Sequence, residues 1–113
     1  MNFNEIPEFS KEFKYKAKKY LSLVRDLEMF KKIISKFPLG NGKHFAVITI
    51  RDDIKIMKAR LFCEYLSKSS LRIIYSYRER ESLIEFLELY FKGDKSNEDR
   101  ERIKEYLKSI GKI

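Results

Sequence analysis

IKIMKARLFC (54–63) and LRIIYSYR (71–78) decide the fold of this chain. In an extended strand, alternate side chains share a face. Met57, Ala59, Leu61 and Cys63 of the first run form a set that is apolar beyond Lys55. Ile54, Ile56, Lys58, Arg60 and Phe62 form the other. In the second run Leu71, Ile73, Tyr75 and Tyr77 suit a core, and Arg72, Ser76 and Arg78 suit the opposite side. Both runs give one answer: apolar residues under a layer of helices, with Lys58, Arg60 and Arg72 together on an open face. Cations held on stiff strands suit a phosphate backbone, and chemistry on one.

Working outward, HFAVITI (44–50) is β-branched and apolar and reads as a strand, turned by Arg51-Asp52-Asp53 into the run from Ile54. The stretch 66–70 reads as a polar loop and Glu79-Arg80-Glu81 as a turn. SLIEFLELYFK (82–92) reads as a fourth strand, with one carboxylate in each of its two alternating sets, so its facing stays open. Upstream, Phe9, Phe13, Ala17 and Tyr20 or Leu21 share one side of a helix over 10–20, capped by Ser10. Leu23, Leu27, Phe30, Ile34 and Phe37 repeat at steps of 4 and 3 and predict a helix over 22–37, capped by Ser22 and ended by Pro38 and Gly40. Downstream, Ser96 to Asp99 resembles a capping box opening a helix to about Ser109. Its stripe is Ile103, Tyr106, Leu107 and Ile110, and Gly111 ends it. The expectation is a single α+β domain over 1–113: a helical hairpin packed on a mainly antiparallel four-stranded sheet, with a C-terminal helix.

The chain has 113 residues, enough for one modest core. Its net charge is +8, and the excess is uneven. Residues 1–60 hold 14 Lys and Arg against 7 Asp and Glu, whereas residues 61–113 hold 11 against 10. A basic N-terminal half argues for an anionic partner, nucleic acid or an acidic protein segment. The bland alternative is a lysine-rich solubilising surface. No apolar run reaches the ~18–20 residues of a membrane span. The start, MNFNEIPEFSKEF, lacks the pattern of a secretory signal. One cysteine, Cys63, excludes an internal disulfide and reads as a buried structural thiol. A cytoplasmic location is the resulting expectation.

No His, Cys or carboxylate cluster has metal-ligand spacing, so neither metal nor cofactor is expected. The GNGK run (40–43) is too short for a phosphate-binding P-loop. His44, the sole histidine, reads as a strand-edge polar residue, and Tyr75 and Tyr77 as core. Arg72 has its own structural alternative, an ion pair with Glu79, Glu81 or Glu88.

The chain resembles the RelE/ParE superfamily of toxins from toxin–antitoxin systems. The likeness rests on the helical hairpin EFSKEFKYKAKKYLSLVRDLEMFKKIISKFP (8–38), IKIMKAR (54–60), RIIY (72–75), LIEFLELYFKGDK (83–95) and a final helix, in that order. The resemblance implies a small sheet on an N-terminal helical pair and a cognate acidic antitoxin. It implies one of two activities: RelE-like cleavage of messenger RNA at the ribosome, or ParE-like poisoning of DNA gyrase without nuclease chemistry. An RNA-binding domain with degraded catalysis is the third alternative. The RelE-like residues fall on Lys58, Arg60, Arg72 and Lys92, the last standing where such enzymes often have arginine. Tyr106 is within reach of their C-terminal aromatic position, but its place in an apolar stripe favours packing.

Metal-independent RNA cleavage needs a base for the ribose 2′-hydroxyl, cations for the crowded phosphorane and an acid for the departing 5′-oxygen. Arg60 and Arg72 suit the clamp. Lys58, beside two arginines, is expected to have a lowered pKa and to serve as base. Lys92 or Lys95 would be the acid or a further stabiliser. The alternative for Lys58 and Arg60 is plain binding of phosphate or of an acidic antitoxin. Further RNA contacts are expected at Lys16, Lys19, Arg51, Lys55, Arg78 and Lys95.

Overall fold

A computed structural model describes residues 1–112. Its order is β1 (Asn2–Glu5), α1 (Pro7–Lys19), α2 (Leu23–Lys36), β2 (Phe45–Arg51), β3 (Ile54–Cys63), β4 (Lys68–Arg78), β5 (Leu83–Phe91) and α3 (Arg100–Ser109). The sheet runs β1-β5-β4-β3-β2, with every pair antiparallel except β1 and β5. The class is α+β as expected, but the sheet has a fifth strand. Asn2–Glu5 pairs parallel to β5, and the Ile6 N–H donates to the Phe86 carbonyl at 3.1 Å. Four mostly polar residues carry no periodic signal, and only the edge offered by β5 makes them a strand.

Helix α1 begins three residues before its expected start, because Pro7 occupies its first turn, where a missing N–H costs nothing. Ser10 therefore caps nothing; its hydroxyl donates to Glu5 at 2.5 Å. Ser22 does precede α2, but its side chain caps no helix N–H: its hydroxyl donates to Asp26 of α2 at 2.7 Å and accepts from the distant Tyr65 N–H at 2.8 Å. The cap of α3 is Asp99, whose carboxylate accepts from the Arg102 N–H at 3.0 Å. At its end Gly111 (φ +77) and Lys112 donate to Lys108 and Leu107 in a Schellman closure. The expected loop at 66–70 is mostly strand. A 3-10 turn at Glu64–Leu66 and left-handed Ser67 reverse the chain, and Glu79–Glu81 with Ser82 repeat the device.

Two cores result. Helices α1 and α2 lay Phe9, Leu23, Leu27 and Ile34 on one sheet face, against Met57, Leu61, Ile73 and Phe86. On the other face, Ile103, Tyr106 and Leu107 of α3 cover Ile54, Ile56, Ile74 and Leu87. The second face is thus only partly open: an amphipathic helix must bury its stripe, and the remaining bare sheet is where it does so. Strand β5 serves both faces through a bulge. Ile74 pairs with Glu88 but Tyr75 with Phe86, leaving Leu87 extra. The extra residue puts Glu85 and Glu88, three apart, on the α3 side, where they accept from Tyr106 and from the Asp99 N–H.

Candidate functional site

The four cations expected at the centre line one cleft. Lys58, Arg60, Arg72 and Lys92, with His44 and Ser96, border a hollow of about 380 Å³. An adjoining hollow of about 540 Å³ shares Arg60, Arg72 and Lys92 and adds Ser69 and Ser70. Three strands converge to build them. Arg60 of β3 stands directly opposite Arg72 of β4, which stands opposite Tyr90 of β5. Lys92 follows the end of β5 and is held by its N–H donating to the Ser70 carbonyl at 2.9 Å.

Two like charges paired across strands oppose folding. Among the described residues, neither Arg60 nor Arg72 has a carboxylate within ion-pair distance. Arg72 is 8% exposed, and its Nη1 donates to the carbonyls of Ser69 at 2.7 Å and Leu71 at 3.2 Å. Burial, then the Arg60 charge, push its pKa down. The alternative in which Arg72 serves an ion pair does not hold: Glu81 goes to Arg78, and Glu88 to Lys95. A guanidinium held by carbonyls on one edge keeps donors free for an anion.

Lys58 departs from expectation. Its Nζ donates to Glu98 at 3.0 Å, and the Glu98 side chain is only 2% exposed. Burial pulls the ammonium down, but Glu98 and the neighbouring Tyr90 hydroxyl outweigh it and hold the pKa above its usual value. The expected fall considered only the adjacent arginines; a carboxylate 40 residues away reverses the sign. Glu98 and Tyr90 thus favour the charged form of Lys58, the opposite of the lowered pKa that the base role calls for.

The remaining expected contacts divide by position. Lys95 is engaged by Glu88 and lies over the Tyr90 ring at 5.0 Å. Lys16 and Lys19 lie in the last turns of α1. Burial lowers the Lys16 pKa, against Glu12 and Asp94 and together with Lys19 and Lys95, so this helix end adjoins the link after β5. Arg51, Lys55 and Arg78 are not brought to the cleft. They sit where Ile54 pairs with Arg78, six residues along β3 from Arg60, roughly 20 Å at 3.4 Å per residue. Arg51 Nη1 donates to Thr49 Oγ1 at 2.7 Å, Lys55 lies opposite Tyr77 on the side of α1 and α2, and Arg78 pairs with Glu85 and Glu81.

Sequence reasoning missed Glu98, Ser96 and Tyr90. The first two carried only a helix-start signal, and Tyr90 belonged to a strand of undecided facing. Tyr106 packs in the α3 core, and its hydroxyl donates to Glu85 at 2.5 Å. Cys63 is buried, 3.7 Å from Ser22 Oγ. Among the described residues no group of three or more His, Cys, Asp or Glu is placed to hold a metal ion, and no helix is long and apolar enough to cross a membrane.

No family model and no curated protein matches the chain. A solved structure does. The chain is similar to one in the archaeal RelE–RelB complex from Pyrococcus horikoshii OT3, with 20% identity and a TM-score of 0.63, over 83% of this chain and 97% of that one. The likeness establishes the fold, which is that of RelE.

Proposed function

With the RelE fold as premise, we propose that this chain is the toxin of a toxin–antitoxin system and cleaves messenger RNA without a metal. The observation that carries the reading is the uncompensated Arg60–Arg72 pair, set in one cleft with Lys58 and Lys92. A fold keeps facing like charges where an anion is to be bound. Arg60 and Arg72 clamp the nonbridging oxygens of the scissile phosphate. Lys58 and Lys92 add fixed charge for the phosphorane. The ribose 2′-oxygen attacks phosphorus as its proton is lost, the bond to the 5′-oxygen breaks as that oxygen takes a proton from Lys92 or from water, and the products are a 2′,3′-cyclic phosphate and a 5′-hydroxyl. Lys58 stabilises charge and leaves proton removal to water or to groups around the bound message, which favours cleavage on the ribosome. An acidic antitoxin silences the protein by occupying the same cations, with fast, salt-sensitive association.

The charged state of Lys58 also favours a second reading, a ParE-like toxin that binds gyrase and cuts nothing. Incubation of folded, antitoxin-free protein with translating ribosomes, followed by mapping of transcript ends, separates the two. New 5′-hydroxyl ends support the first reading. Intact message with inhibited DNA supercoiling selects the second. Intact message with retained, salt-sensitive RNA binding selects a catalytically degraded RNA-binding domain.

A further inference from the structure

We propose that Glu98 is a positioning residue for Lys58, which makes the segment from Ser96 to Arg100 a working part of the cleft as well as the start of α3. The inference rests on the cleft being an anion-binding site and adds the group that sets one of its cations.

Glu98 is a charged residue in a connecting turn, yet its side chain is almost fully buried. Its two oxygens are divided between Lys58 Nζ at 3.0 Å and Arg100 Nη2 at 2.6 Å. Docking of α3 does not require this contact. Ile103, Tyr106 and Leu107 fill the second core, the Asp99 N–H bonds Glu88 at 2.8 Å, Tyr106 bonds Glu85 and Ser76, and Arg102 bonds Glu12 and the Leu87 carbonyl. The helix is held at every turn without Glu98, so the effect of this carboxylate falls on Lys58. Lys58 is also the one central cation so treated: Arg60, Arg72 and Lys92 have no carboxylate partner among the described residues.

The surroundings explain the need. Lys58 shares its cleft with Arg60 of its own strand, Arg72 of β4, Lys92 after β5, and Lys43 and His44 before β2. The Tyr90 hydroxyl of β5 is buried without a hydrogen-bond partner among the described residues, and as a neighbour of Lys58 it favours the charged form. Arg100 stands behind Glu98. Burial alone disfavours the ammonium form of Lys58, and the facing arginines repel it. Glu98 keeps it charged and fixes where it points.

The test uses the full chain. The Lys58 side chain is titrated by NMR in wild type and in Glu98→Gln, with Glu98→Asp as the variant that keeps the charge. Lys58 is expected to lose its proton at lower pH in Glu98→Gln and to recover partly in Glu98→Asp. An unchanged titration overturns the proposal. Failure of Glu98→Gln to fold also overturns it, because α3 would then need the contact. A second measurement is a cycle of Glu98→Gln and Lys58→Met, read by binding of an oligoadenylate. The effect of Glu98→Gln is expected to differ by about fivefold between the two Lys58 backgrounds, the order of one charge pair. Equal effects in both would mean that Glu98 does not act through Lys58. The titration needs no nuclease activity, so a wild type that cleaves nothing rejects the functional reading and leaves this result standing.

Discussion

Replacing Arg60 by Gln should stabilise the fold while weakening the function. Arg60 and Arg72 are directly opposed on β3 and β4, and no carboxylate among the described residues compensates either. Like charges at facing strand positions cost on the order of 0.2–1 kcal/mol, and Arg60→Gln recovers that cost. Unfolding entropy of about 2.1 cal/mol/K per residue over the 113 residues makes this a rise in Tm of about 1–4 °C. The gain should be largest in low salt and should shrink at 1 M, where the screening length falls to ~3 Å. The same variant removes one phosphate contact, so the salt slope of single-stranded RNA binding should become shallower by about 0.7. Thermal denaturation at two salt concentrations and an RNA titration series make the two readings. A lower Tm for Arg60→Gln in low salt would refute the reasoning, since the arginine would then be supporting the sheet. So would an unchanged salt slope, which would mean that the exposed guanidinium meets no phosphate.

Lys58→Ala should lower RNA cleavage by about 10²–10³, the size of a lost transition-state donor, measured as single-turnover rate. Tyr106→Phe strips the hydroxyl that joins buried Glu85 and Ser76 at 2.5 and 2.7 Å. It should cost about 1–3 kcal/mol, a fall in Tm of about 4–13 °C, with the fold unchanged by circular dichroism. The pH dependence of stability should carry the mark of Glu98. Burial raises its pKa, but its own backbone hydrogen bond, Lys58 and Arg100 outweigh that and hold it below the usual 4.5. A depressed folded pKa gives stability that is full above the unfolded value and lost as pH falls through the folded one. The stability advantage of wild type over Glu98→Gln, measured by urea unfolding, should therefore be full above pH 4.5 and shrink as pH falls below it.

The parts of the fold that were legible share one property: the signal was local and the strand straight. Strands β3 and β4 keep strict alternation around the cleft, so Lys58, Arg60 and Arg72 could be placed on one face from spacing alone. Strand β5 could not be faced, because the bulge at Leu87 shifts the alternation midway and both carboxylates end on one side. No residue type marks that bulge. The open second face was misjudged because a helix stripe states that it will be buried, not where. The protonation of Lys58 was misjudged because its deciding neighbour, Glu98, is brought in by the path of the chain after β5. Arg51 and Lys55 joined the expected RNA surface on charge, and Arg78 on charge and facing, neither of which gives distance along a strand.

The most direct measurement of the central claim is a map of transcript 5′ ends from translating ribosomes incubated with wild-type protein and with Arg72→Gln, both free of antitoxin and shown to be folded. The account predicts new 5′-hydroxyl ends with wild type and their loss by about two orders of magnitude with Arg72→Gln. Equal cutting by both proteins, or intact message with folded wild type, would contradict it.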